Sequence, residues 1–289
     1  MYGKCGFLLM QMPLCAAERE GNMATFHIEF FSESLLRPVS FLVLLPNDVR
    51  IPAQELAKNP HYRREPKTLF LLHGYTNASG EWYYGSSIRF LAEKYHLAVV
   101  FPNGENGFYL NGEATGHRYC DFVGRELVEY MRKTFGLAKS AQDTFIGGLS
   151  MGGFGALHTA FAFPENFGKV AAMSSALIVH GIAGMKPGQD NGVANYEYYR
   201  SCFGDLDRVE ESDANPETLL LRLKGEKKKI PGIFMVCGTQ DFLLENNRAF
   251  HRFLLQEEIP VFYEESPGSH NMQFWDAKLE PAICWMLED

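Results

Sequence analysis

A chain of 289 residues that is 46% hydrophobic and 21% charged has ordinary globular composition and fits one large α/β domain or two small ones, with no need for disulfide or metal staples. Its net charge of −8 comes with no basic stripe, which argues against nucleic acid and anionic membrane surfaces as partners. The six cysteines form no Cys-x-x-Cys pair and no histidine cluster has zinc spacing, so neither a metal nor a cofactor is expected.

No run approaches the roughly 20 apolar residues of a membrane span, and the cysteine usage suits a reducing compartment. Residues 1–22, "MYGKCGFLLMQMPLCAAEREGN", contain an apolar patch broken by Gln11 and Pro13 and followed by Ala16-Ala17. They read as a flexible or non-native extension from an upstream start codon, with Met23 the natural beginning and the protein cytoplasmic. A signal segment, and hence secretion, is the alternative.

From Met23 the elements follow in order. "TFHIEFFS" and "VSFLVLLP" read as a pair of opening strands, followed by a polar, Pro-containing loop from Asn47 to Lys67. "TLFLLHG" is a short apolar strand, "SIRFLAEKY" a helix, and "LAVVFPNG" a buried strand stopped by Pro102. "DFVGRELVEYMRKTFG" has helical spacing, with Phe122, Leu127, Tyr130 and Met131 on its apolar side. A strand "DTFIGGLS" leads into a helix "GGFGALHTAFAFP", and "GKVAAMSS" is the next strand. Residues 179–229 break the rhythm and read as an insertion forming a small lid. Then come a strand "GIFMVCGTQD", a helix "NNRAFHRFLLQEE", a strand "VFYEES" and a helix from Met272 to Met286. Strands alternating with helices predict a mostly parallel central sheet with helices on both faces.

In such a sheet, chemistry gathers where strands end and helices begin. The junction "FIGGLSMGGFGALHTAF" has neither G-x-x-x-x-G-K-[ST] nor G-x-G-x-x-G, which argues against a phosphate cradle. It does contain G-x-S-x-G, Gly148-Leu149-Ser150-Met151-Gly152. A serine lifted clear of the sheet must sit in a sharp, strained strand-to-helix turn, and side chains at the two elbow glycines, Gly148 and Gly152, would collide with neighbouring elements. Met151 N–H, at the start of the helix, becomes an oxyanion donor.

A nucleophilic serine needs a base and an orienting acid, in the order Ser, Asp or Glu, His after successive strands. Asp241 closes "IFMVCGTQD" and His270 closes "VFYEESPGSH". Asp241 is preferred to Glu245 because it is nearer its strand end. His117 and His180 could reach the site but do not follow a strand end. The second oxyanion amide is expected from Tyr75, at the start of the loop after His73-Gly74, with His73 shaping that loop. Trp82, Phe108, Tyr109 and the insertion are the candidate substrate-pocket walls. The Tyr-rich stretch "NYEYYRSCFG" reads first as packing onto the core and second as a stacking surface for sugar or aryl groups.

The segments "LLHGYTNASGEW", "VVFPNGENGFYLN", "GGLSMGGFGAL", "CGTQDFLLENN" and "PGSHNMQFWD" together resemble the esterase D-like family of α/β-hydrolases, which includes S-formylglutathione hydrolase, and most of all its bacterial tributyrin-esterase branch. The resemblance spans most of the chain from Met23. It implies an α/β-hydrolase domain over 23–289 with Ser150 as nucleophile, Asp241 as acid, His270 as base, and Tyr75 and Met151 as oxyanion amides. It also implies hydrolysis of small-molecule short-chain acyl esters, with acetyl and feruloyl esters of plant polysaccharides among the substrates of similar enzymes. The loop "YTNASGEWYYG" departs from the Gly-Leu-Thr-Cys pattern expected of a formylglutathione hydrolase, which ranks that substrate lower. A thioesterase, peptidase or acyltransferase on the same triad, and a non-catalytic binding protein on the same scaffold, are the alternatives. The sequence leaves the oligomeric state open, a homo-oligomer included.

Overall fold

The protein is described here by a computed structural model that covers residues 23–47 and 57–288. The expected N-terminal extension and part of the Asn47–Lys67 loop lie outside the described residues. The strands are β1 (Ala24–Ser32), β2 (Arg37–Leu45), β3 (Lys67–Leu72), β4 (Leu97–Phe101), β5 (Thr144–Leu149), β6 (Lys169–Met173), β7 (Gly232–Gly238) and β8 (Val261–Ser266). They form one sheet in the order β1-β2-β4-β3-β5-β6-β7-β8. β1 and β2 form an antiparallel hairpin, β2 meets β4 antiparallel, and every later pairing is parallel.

The α-helices of four or more residues, in chain order, are α1 (Gly80–Gly85), α2 (Ile88–Tyr95), α3 (Leu127–Phe135), α4 (Met151–Ala162), α5 (Val179–Ile182), α6 (Tyr196–Phe203), α7 (Pro216–Gly225), α8 (Leu244–Gln256) and α9 (Met272–Leu287). A wide π turn, Phe122–Glu126, leads into α3, so the expected single helix from Asp121 is regular only in its second half. The sequence reading did not mark α1, a six-residue helix with glycine at both ends.

Every residue of β4 and β5 is buried, as a strand covered on both faces requires. The period of two then sorts the side chains into two cores. Phe70, Leu72, Val100 and Ile146 face α3, α4 and α8, while Leu69, Leu71, Val99 and Phe145 face α2 and α9. The α4 helix runs down the middle of the first core, and eleven of its twelve residues are buried.

Residues 179–229 carry α5, α6 and α7 and, among the described residues, contribute no strand to the sheet. Tyr199, Phe203, Val209, Leu220 and Leu223 join the apolar core, so part of the Tyr-rich stretch is structural packing. A buried histidine ties this segment down. His158 of α4 bonds the carbonyl of Asp213 through Nε2 at 2.7 Å and lies 3.5 Å from Cys120 Sγ through Nδ1. These residues also line a cavity of about 1060 Å³ between α4 and α7 that includes none of Ser150, Asp241 and His270.

Burial pushes the His158 pKa down to about 4, against 6.5 for an ordinary imidazole. Between those values the unfolded chain binds the extra proton and the folded chain does not, so stability falls as pH drops through that window. The loss expected by pH 5 is about 2 kcal/mol from this residue. Urea midpoints at pH 7 and 5 check it. His158→Gln should flatten the slope, and an equal slope in both proteins would assign the acid sensitivity elsewhere.

Candidate active site

The β5–α4 junction has the strained geometry that the glycine pattern predicted. Ser150 sits at φ 53°, ψ −120°, a region that costs a non-glycine residue roughly 1–3 kcal/mol. Hydrogen bonds fix it there: Ser150 N–H donates to Met173 O at 2.9 Å, and its carbonyl accepts from Phe154 and Ala176 N–H at 3.0 Å. A Cβ on Gly148 would lie 2.4 Å from Gly152 O, and one on Gly152 would lie 2.4 Å from Leu72 O and 2.6 Å from His73 O. Both positions therefore exclude a side chain by backbone contact.

Ser150, His270 and Asp241 come together from the ends of β5, β8 and β7. His270 Nε2 is 3.0 Å from Ser150 Oγ, and His270 Nδ1 is 2.9 and 3.1 Å from the two Asp241 oxygens. An ionised Asp241 accepts the Nδ1 proton, which leaves the Nε2 lone pair facing the hydroxyl. Burial alone would raise the Asp241 pKa. Hydrogen bonds from His270, Leu243 N–H and Ser174 outweigh it and hold the carboxyl below its ordinary value. Glu245, the alternative acid, pairs instead with Arg248 at 2.7 Å on the surface. His180 lies between Glu210 and Glu217, at 2.6 and 3.2 Å.

Around the triad are residues that the sequence reading did not assign. Trp275 meets the His270 ring edge-on, with centroids 4.9 Å apart, and donates its Nε1–H to Ser174 Oγ at 3.0 Å. Ser174 is fully buried at the end of β6, with φ 47°. Phe242 also contacts the His270 ring, centroids 4.5 Å apart, and is 71% exposed. The signals were faint: Trp275 lies five residues past His270 in "HNMQFWD", and Ser174 is one of two serines ending a strand.

The loop after β3 runs beside Ser150. His73 is buried and shapes it, accepting Gly104 N–H on Nε2 at 2.9 Å and contacting Gly74 O through Nδ1 at 2.8 Å. Burial lowers the His73 pKa, which suits this neutral, two-way bonding. No acceptor takes the Tyr75 or Met151 N–H among the described residues. The candidate pocket walls divide differently. Trp82 and Tyr109 are 1% and 0% exposed and bond Leu72 O and His73 O, at 2.9 and 3.1 Å. Neither is open to solvent as it stands, because each is spent holding the end of β3. Phe108 is 5% exposed and packs on Phe154 and Phe203. Among the described residues no group of three or more His, Cys, Asp or Glu is placed to hold a metal ion.

A mostly parallel sheet whose central strand turns through a strained serine into a helix, with an imidazole and a carboxylate delivered by later strands, defines an α/β-hydrolase. The chain belongs to the esterase family whose model is described as "Putative esterase", which matches residues 32–286. It is 42% identical over 264 residues to an acetyl esterase of Caldicellulosiruptor saccharolyticus, covering 91% of this chain and 98% of that one. Two solved structures from Staphylococcus aureus are similar throughout. The fluorophosphonate-binding serine hydrolase F shares 30% identity at a TM-score of 0.79, covering 93% of this chain and all of that one. An S-formylglutathione hydrolase shares 29% at a TM-score of 0.76, covering 92% and 100%. The protein is accordingly a carboxylic ester hydrolase of the serine type.

Proposed function

We propose that this chain hydrolyses short-chain acyl esters, acetyl esters foremost, with Ser150 as nucleophile, His270 as general base and acid, Asp241 as its orienting carboxylate, and the Tyr75 and Met151 amides as the oxyanion site. The observation that carries this reading is the unbroken Asp241–His270–Ser150 hydrogen-bond chain. It stands beside a turn in which the Tyr75 amide has no internal acceptor. Ser150 Oγ attacks the ester carbonyl as its proton passes to His270 Nε2, and the carbonyl oxygen takes the negative charge. The alcohol leaves with that proton. Water, activated by the same imidazole, then attacks the acyl-enzyme and releases the acid and the serine.

The short-chain preference rests on crowding near the oxyanion turn. The Tyr75 and Tyr198 rings lie 5.6 Å apart, and the Tyr198 hydroxyl donates to Asn106 O at 2.6 Å, which brings α6 of the insertion beside the turn. In this reading the insertion serves as the lid. The exposed Phe242 ring offers a flat face for the alcohol portion, which suits acetyl or feruloyl groups borne on sugars.

The test is kcat/KM for p-nitrophenyl acetate, butyrate and octanoate, with a glutathione thioester in the same series. A fall of about tenfold or more from acetate or butyrate to octanoate is expected, one to two methylenes' worth of lost fit. Efficient octanoate turnover would overturn the short-chain reading, and preference for the thioester would favour the formylglutathione-hydrolase activity of the S. aureus relative.

A further inference from the structure

The turn that carries Tyr75 is held by a carboxylate outside the triad. Gly74 to Asn77 form a tight turn closed by Asn77 N–H donating to Gly74 O at 3.3 Å. Thr76 sits in it at φ 65°, a left-handed conformation that a β-branched residue adopts only when its surroundings impose it. Glu81, in the first turn of α1, reaches back across this turn. One carboxylate oxygen accepts Gly74 N–H at 2.6 Å and the other accepts Asn77 Nδ2 at 2.7 Å. On the far side, Asn106 Oδ1 accepts Thr76 N–H at 2.8 Å, and Asn77 Oδ1 accepts Ala78 N–H at 3.1 Å. From Gly74 to Ala78 every amide is committed except that of Tyr75.

The carboxylate and the nucleophile flank the same residue. A Cβ on Gly74 would lie 3.5 Å from Glu81 Oε2 and 3.7 Å from Ser150 Cβ. Its place in the first turn of α1 gives Glu81 an ordinary explanation, an acidic residue at a helix N-terminus. The geometry points elsewhere, because both its oxygens are spent on the turn. Burial raises its pKa, partly offset by the Gly74 and Asn77 hydrogen bonds. A group kept at that cost needs the contacts it makes.

We infer that Glu81 is a positioning residue for the oxyanion site: by gripping Gly74 and Asn77 it holds the strained turn so that the Tyr75 N–H stays free beside Ser150. This rests on the reading of Ser150 and Tyr75 given above. An amide aimed at an oxyanion is felt in the transition state more than in the bound ester, so loosening it lowers kcat and leaves KM nearly alone.

The experiment compares Glu81→Ala, Glu81→Gln and Asn77→Ala with wild type and with Ser150→Ala. Removing one oxyanion donor outright costs about 100- to 1,000-fold, so a loosened one is expected to cost roughly 10- to 100-fold in kcat. The factor should be equal for acetate and butyrate, with KM within about twofold. Phosphonylation by a fluorophosphonate, whose P=O oxygen takes the oxyanion position, should slow by the same factor. Glu81→Gln, which still accepts Gly74 N–H but turns a donor toward Asn77, should recover part of the rate. Where Glu81→Ala does not fold, Glu81→Gln and Asn77→Ala decide by the same split between kcat and KM. A folded Glu81→Ala protein with kcat within about threefold of wild type, or with the loss confined to KM, overturns the assignment. Full activity in Ser150→Ala would instead overturn the reading beneath it.

Discussion

Ser150→Ala is expected to lower kcat on p-nitrophenyl acetate by about a millionfold, the size of effect seen when a triad nucleophile is removed, with little change in melting temperature. The hydroxyl is small and half-buried, and its loss relieves no contact on which the elbow depends. Backbone bonds to Met173, Phe154 and Ala176 hold that turn. Asp241→Asn should follow at about ten-thousandfold. Asparagine can offer Nδ1 of His270 an N–H₂ where the imidazole needs an acceptor, and that stabilises the tautomer with its proton on Nε2, facing Ser150. The two variants together separate nucleophile from orienter. Residual activity above about 1% in a folded Ser150→Ala protein would mean that another group attacks the ester, and an unaffected Asp241→Asn would remove the orienting role.

Gly152→Ala is expected to cost about 3 kcal/mol or more in stability and to abolish activity with it. The added methyl would stand 2.4 Å from Leu72 O and 2.6 Å from His73 O. These are backbone atoms at the buried end of β3, so neither can swing aside as a side-chain tip would. Relief requires α4 to separate from β3, and β3 carries the loop with the Tyr75 amide. Urea unfolding and ester turnover read the two losses side by side. Gly181→Ala is the control, because nothing lies within 4 Å of its added methyl. If Gly152→Ala unfolds at the wild-type midpoint, the close approach of α4 to β3 is not what the elbow requires.

The three residues that meet in the Asp241–His270–Ser150 hydrogen-bond chain could be picked out because each announces itself locally. Ser150 stands in a spaced glycine pattern, and Asp241 and His270 each close an apolar strand at the edge where such sheets do chemistry. The burial of β4 was legible for a similar reason, as an unbroken apolar run. What could not be read is what depends on partners far away in the chain. Glu81 becomes a clamp only when its helix folds back over Gly74, and α1 itself is too short, and too rich in glycine and aromatic residues, to show a helical period. Ser174 and Trp275 are 101 residues apart and meet only after β6 and α9 have packed. Trp82 and Tyr109 suggested pocket walls because large aromatics near a site often line one. Their polar atoms were claimed by the carbonyls of Leu72 and His73, and that drew both rings inward.

The sheet order gives the three triad members different standing. β5, which delivers Ser150, lies between β3 and β6, while β8, which leads to His270, is the outermost strand on its side and pairs only with β7. Peripheral strands open at lower free energy than central ones, often without global unfolding. Ser150 is therefore anchored on an interior strand and His270 follows an edge strand, the part expected to open at lower free energy. On warming, fraying of β8 is therefore expected to displace His270 before the elbow that carries Ser150 is disturbed.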